Sequence, residues 1–478
     1  MFGFTRRRLG WYLLFLFGLS VSILVNTKAL ALEIRFANPV LVSQSVPISK
    51  SLQQAENFYR NGNFTEAITL WQEALSQIST PPERAVVYGN LATASRQIGQ
   101  IDRAIGYWEQ AIAIYKHIGD KDARLQSAKL LVEQAQAYSE IGQHKRAIQL
   151  LQTALKIVQS YQDRLTELAA NGALGNAYFA LADYEKALFY HQKSLQTARE
   201  LENNKEKDNF IQSSLQNVLN NLGNVYAKRS ERYRYQASMA ELESDEKEKN
   251  RLLDLAQKDT DAGIEAFEQS IQKEATDVGT VQALLNLNRL LEKTSTVNDN
   301  KVNLSTIAKN RSQALNILAK MPDSRDKAYA LINVAQGTEP QASVKILADA
   351  IAVAKNIGDT RAESFGLGSL AQLYETAHQY NEAMELNRQA QFAAQKVNAI
   401  DSLYRWQWQA GRISRATGEM NKAIAYYEQA IASLQSIRSD ILAANKDFQF
   451  DFRDSVEPVY RQMVELILAK EEINNKES

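Results

Sequence analysis

Few residues in this chain could do covalent chemistry. Its 478 residues contain no cysteine, which removes disulfides, thiolate metal sites and cysteine nucleophiles. Four histidines, His117, His144, His191 and His378, stand far apart with no i,i+4 pair, so each reads as a packing or surface residue and no metal is expected. The sequence has no glycine-rich phosphate loop and no Gly-x-Ser-x-Gly nucleophile elbow, and no cofactor is expected. Carboxylates are plentiful, but hydrolysis of a glycan would need two of them facing one bond. A cell-envelope enzyme, or enzyme subunit, with an unrecognised carboxylate site is the alternative to a binding function. Two groupings point to recognition. Asn176, Asn217, Asn220 and Asn224 recur on helices although asparagine is a poor helix former, and their amides could pair with the backbone of an extended peptide. Arg405, Trp408, Arg412 and Arg415 would make a basic, aromatic patch suited to a carboxylate or acidic peptide.

The elements that must position these residues are repeated helical pairs. In Asn421 to Ser433, Ala423, Tyr427 and Ala430 share one face at spacings of four and three, so two small residues flank an aromatic knob. The triplet recurs as Ala67, Trp71, Ala74 and as Ala104, Trp108, Ala111. Weaker copies are Ala147, Leu151, Ala154; Ala187, His191, Ser194; Gly263, Phe267, Ser270; Ser343, Leu347, Ala350; and Ala383, Asn387, Ala390. A preceding helix carries its own small residue, such as Ala92, Ala135, Gly175, Gly223, Ala371 or Gly411, and glycine at 62, 99, 142 or 418 marks the turn between the two. A phrase ending in Ile-Gly-Asp occurs at residues 111–120 and again at 350–359. A single pair cannot cover its own apolar face, so each must stack on the next.

This pattern resembles the tetratricopeptide repeat (TPR), although the steps between marker residues, 37, 43 and 40 and later 40 and 40, exceed the usual period of about 34. The expected fold is all-α, a right-handed α-solenoid of about nine TPR-like helical hairpins over residues 50–434. Two regions depart from the pattern: a doubly charged stretch at 228–261 and a sixth unit, about 277–320, without the triplet. The resemblance implies that the first helix of each pair lines the inner surface. There the four asparagines would form a peptide clamp, with helix capping or plain exposure as the other reading. Arg405, Trp408, Arg412 and Arg415 would lie near the C-terminal end of the same surface, unless the segment holding Phe448, Phe450 and Phe452 folds back over them.

Length and charge narrow the class. The chain is too long for one growing core, and the repeat decides for an elongated array. Lys plus Arg equals Asp plus Glu at 55 each, which gives no case for nucleic acid. Arg6 to Arg8, the apolar run from Leu9 to Val25 and Ala29-Leu30-Ala31 read as an export signal over residues 1–31, with an uncleaved membrane anchor as the other reading. The arginines also loosely fit a twin-arginine signal. An extended tether, 32–49, follows. Residues 435–478, together with Tyr404 to Arg412, resemble the end of the TPR arm of exported cyanobacterial CHAT proteins, where a caspase-like domain begins. That family's His-Cys pair has nothing to map onto here. The expectation is a periplasmic or extracellular, non-enzymatic scaffold with a protein or peptide partner, among them a CHAT-domain protein.

Overall fold

The computed structural model describes residues 50–203, 209–274, 276–294, 300–436 and 457–477. The export signal, the tether and the Phe448 to Phe452 segment lie outside the described residues. The protein is 88% helical and has the expected fold, a right-handed α-solenoid of about nine hairpins. In chain order the hairpins are α1 (Lys50–Arg60) with α2 (Phe64–Leu75), α3 (Pro81–Gln97) with α4 (Ile101–Ile118), and α5 (Lys121–Glu140) with α6 (His144–Tyr161). Next come α7 (Arg164–Ala180) with α8 (Tyr184–Asn203), α9 (Asn209–Leu242) with α10 (Glu246–Lys273), and α11 (Asp277–Thr294) with α12 (Asn300–Lys320). The last three are α13 (Arg325–Ala335) with α14 (Pro340–Asn356), α15 (Thr360–Thr376) with α16 (Tyr380–Lys396), and α17 (Ile400–Ala416) with α18 (Met420–Ser436). A final helix, α19 (Glu457–Glu477), covers α18. No described helix is long and apolar enough to cross a membrane.

The turns follow from backbone chemistry. Gly62, Gly99, Gly142 and Gly418 all sit at positive φ, where a Cβ would be strained. After α3 the Gln100 amide reaches back to the Ser95 carbonyl and Gly99 to Arg96, so the last carbonyls of the helix are satisfied. The fourth, fifth and eighth hairpins turn through Ala182, Ser244 and His378 in the same left-handed conformation, which is why no glycine marks them in the sequence. The charged stretch 228–261 runs up the end of α9 and down the start of α10, making these the two longest helices of the solenoid. Aspartate opens several helices: Asp120, Asp163, Asp245 and Asp359 each accept from the amide three residues on.

Knob-and-small-residue contacts hold each hairpin together. Trp71, Trp108, Leu151, His191, Phe267, Leu347, Asn387 and Tyr427 are all buried. A Cβ added to Gly175 would come within 2.5 Å of the His191 ring, one added to Gly223 within 2.5 Å of Phe267, and one added to Gly411 within 2.7 Å of Tyr427. The glycines therefore let the first helix approach the knob of the second. The sixth hairpin, lacking the triplet, is joined by amides: Asn310 donates to Asn288 Oδ1 at 2.8 Å, and Asn288 to the Ile307 carbonyl at 3.0 Å.

The superhelix also touches itself. Gly62, at the tip of the first hairpin, lies by the Asp323 carbonyl between the sixth and seventh. Gly99, at the second tip, lies against Asp359 and Arg361 between the seventh and eighth. Asn398, between the eighth and ninth, donates to the Asp102 carboxylate at 3.2 Å. The tips of the first two hairpins thus rest on the three junctions between the sixth hairpin and the ninth.

Candidate ligand-binding face

Every consecutive pair of first helices from α5 to α17 is in direct contact, whereas second helices do not approach each other to that degree. On a curved array the inner elements are the closer ones, so the first helices from α5 to α17 form the concave side, with α1 and α3 their counterparts at the N-terminal end. These helices are buried on several faces, and their buried set is rich in amides: Asn90, Gln134, Asn171, Gln216, Asn217, Asn220 and Asn286 among others. A buried amide needs partners, and here many of them come from the next first helix. Asn286 of α11 donates to Asn220 Oδ1 of α9 at 2.9 Å, while Arg289, one turn further along α11 itself, donates to Asn286 Oδ1 at 3.2 Å. Gln409 and Arg412 of α17 both reach Gln372 and Glu375 of α15.

The predicted asparagines are on the inner helices α7 and α9. Asn217, Asn220 and Asn224 are buried and Asn176 is half-buried. Asn220 is committed to the α9–α11 contact, and its own amide lies 3.4 Å from Asn221 Oδ1. Spacing alone did not reveal Gln216, which holds a junction: its side chain accepts from the Thr276 amide at 3.0 Å and donates to Thr280 Oγ1 at 3.0 Å. Its position one residue before Asn217, on the same inner helix, was the available signal.

The C-terminal patch is engaged within the chain. Arg412 pairs with Glu375 through two 2.8 Å hydrogen bonds and lies 4.8 Å from the Trp408 ring centre. Trp408 is buried, and its indole donates to Gln462 of α19 at 2.8 Å. The Tyr427 hydroxyl donates to the same Gln462 oxygen at 2.7 Å. Arg415 faces Glu465 at 3.6 Å on the surface, and Arg405 stacks on Tyr404. The described cover of this patch is therefore α19, and the carboxylates it offers are internal ones.

No group of three or more His, Asp or Glu able to hold a metal occurs among the described residues. Among the described residues two carboxylates are shifted upward by burial. Asp359 is opposed by Arg325 in a buried ion network, and Glu292 by Arg311, on different hairpins.

The tetratricopeptide repeat matches residues 48–117 and 126–200 and again 407–433, so the asparagine-bearing α9 lies outside the match. Among curated proteins the chain is 27% identical over 148 residues to response regulator aspartate phosphatase E of Bacillus subtilis (strain 168), covering 30% of this chain and 39% of that protein. It is 26% identical over 123 residues to the 43 kDa receptor-associated protein of the synapse of Tetronarce californica, covering 26% and 29%. The chain thus spans well under half the length of each curated relative. Similar solved structures include a Rap protein complexed with competence and sporulation factor, at TM-score 0.42 and 14% identity over 73% of this chain and 97% of that one. Another is the apo form of the quorum sensor NprR from B. thuringiensis, at 0.40 and 12% over 72% and 86%.

Proposed function

We propose that the chain is a non-enzymatic scaffold that binds a peptide or protein partner on the concave face of its solenoid. One observation carries this: the consecutive inner helices α7 and α9 carry a run of asparagines, Asn176, Asn217 and Asn224, on the side of the array where hairpins converge. Amides offer a donor and an acceptor together, which suits the backbone of an extended chain whatever its side chains. Asn220 also joins α9 to α11 through Asn286. The C-terminal patch, closed by α19, is the weaker of the two sites.

The test is a random-peptide library panned against the full chain, followed by affinity measurement on Asn217→Ala/Asn224→Ala and on Arg412→Ala. Loss of about tenfold or more in the asparagine variant, with retained helicity, is the expected result. Equal affinity in wild type and both variants discards the concave face. We further propose that the protein is exported through residues 1–31 and acts as the sensor arm of a CHAT-type system. N-terminal sequencing of the mature protein from a periplasmic fraction, and co-purification with a CHAT-domain protein, check these two points separately.

A further inference from the structure

The contact between early tips and late junctions is ionic at its centre. Arg325 donates to the backbone carbonyl of Arg96 and, at 3.0 Å, to Glu140 Oε2. Arg361 donates to the Glu140 carbonyl at 3.0 Å and to Asp401 at 2.5 Å. Arg96 in turn donates to Glu140 at 2.6 Å and to Glu133 at 3.2 Å. The Asp359 carboxylate, fully buried, lies 3.6 Å from Arg325 Nε. All of these side chains are at most 15% exposed.

The seam differs in kind from the contacts between neighbouring hairpins. Those are apolar and continuous: the buried clusters run along the early hairpins on one side and the late hairpins on the other. No such cluster among the described residues includes side chains from both sides of the seam. An apolar interface would stay shut, because opening it exposes oily surface to water. Buried charges behave differently, since their attraction roughly balances the hydration they gave up, and release restores that hydration. The seam is therefore the interface that can part at least cost while every hairpin stays stacked.

We propose that this seam is a latch on the concave face. With the late junctions seated on the early tips, the pitch of the superhelix is fixed and the inner helices face one another at close range. With the arginines released, the solenoid lengthens and the asparagine-bearing face of α7 to α11 becomes accessible to an extended peptide. This rests on the concave face being the binding face, and the two ideas fail separately in the experiment below.

Because the chain has no cysteine, introduced thiols are unique probes. Spin labels on Asp102→Cys/Asn398→Cys report the seam, and the rate at which a maleimide-polyethylene glycol labels Asn176→Cys reports access to the inner face. Arg325→Gln/Arg361→Gln is expected to move the label pair to longer, broader distances and to raise the labelling rate about tenfold, as for a latch that is shut nine-tenths of the time. Should the arginine variant lose helicity, Gly99→Ala replaces it. There the new Cβ would stand 2.6 Å from Asp359 Oδ1, whereas at Gly142, equally left-handed, it meets nothing within 4 Å. Opening in Gly99→Ala with Gly142→Ala unchanged supports the latch; equal opening in both overturns it, as does an unmoved label pair in the arginine variant. An open seam with unchanged labelling overturns control of the face. A latch that opens as expected while no library peptide binds either form leaves the latch standing and sinks the peptide-binding reading.

Discussion

The Ile-Gly-Asp phrase occurs at two junctions and is used differently at each. At both, glycine sits in the left-handed region, φ 73° at Gly119 and 72° at Gly358, and aspartate caps the next helix, 2.7 Å from the Ala123 amide and 2.9 Å from that of Ala362. Locally they are copies. Asp120 is exposed and has finished its work with the cap, whereas Asp359 is completely buried against Arg325 beside Gly99. A repeat unit can thus be reused intact while the superhelix gives one copy a second role, and the difference lies in the third dimension alone.

Breaking the comparison should give the largest effect at Asp359. Asp359→Ala removes a helix cap together with one of the two carboxylates beside buried Arg325, Glu140 being the other, and is expected to cost about 3 kcal/mol. Asp120→Ala loses only a cap, worth about 1 kcal/mol. Urea unfolding of the two variants side by side measures the gap, and equal midpoints would mean that Asp359 is only a cap. A control asks whether the two halves respond alike where no seam is involved. Ala104→Leu and Ala423→Leu, both at fully buried crossings, should each destabilise by about 1 to 3 kcal/mol through overpacking. A thermal melt unchanged in either would refute that crossing.

His191 offers a second pair of like positions, since it fills the site taken by Trp108 two hairpins earlier. It is fully buried, neither ring nitrogen has a hydrogen-bond partner among the described residues, and burial lowers its pKa to about 3. An unfolded histidine titrates near 6.5, so on acidification the unfolded chain takes up the proton first. Stability from this site is therefore whole above about pH 6.5 and falls as pH drops toward 3, by about 2 kcal/mol at pH 5. His191→Phe should lose less stability than wild type between pH 7 and pH 5 in urea titrations, and parallel curves would contradict the assignment. The smallest effect is expected at the rim of the seam: Asn398→Gly, which keeps the left-handed backbone of that position (φ 51°) and removes only a solvent-exposed bond to Asp102, should change stability by less than about 0.5 kcal/mol.

What could be read from the sequence follows the same division. The small-knob-small triplets and the glycine turns were legible because they depend on neighbours three and four residues apart. Turns through Ala182, Ser244 and His378 were not, since nothing in those residue types announces a left-handed conformation. Asn220 stood out as one of a recurring set, but its pairing with Asn286, 66 residues on, was invisible. Arg412 and Trp408 were recognisable as a basic, aromatic pair, while Gln462 and Glu375, which occupy them, looked like ordinary polar helix residues. Arg325 and Arg361 carry no local signal, and Asp359 is legible only as the end of a repeated phrase. Charged residues in a first helical turn are common, and their partners lie up to 229 residues away.

Arrays built only from neighbour contacts can gain or lose a unit without penalty to the others, since each copy meets only the next. This one has a fixed tally. Deleting a hairpin anywhere between α6 and α13 would carry Arg325, Asp359 and Asn398 one step past Glu140, Gly99 and Asp102, stranding charge on both sides. Added residues are tolerated where α9 and α10 already run long, because length there adds no repeat to the coil. The tip-to-junction register therefore acts as a ruler that ties the closed seam to one number of repeats.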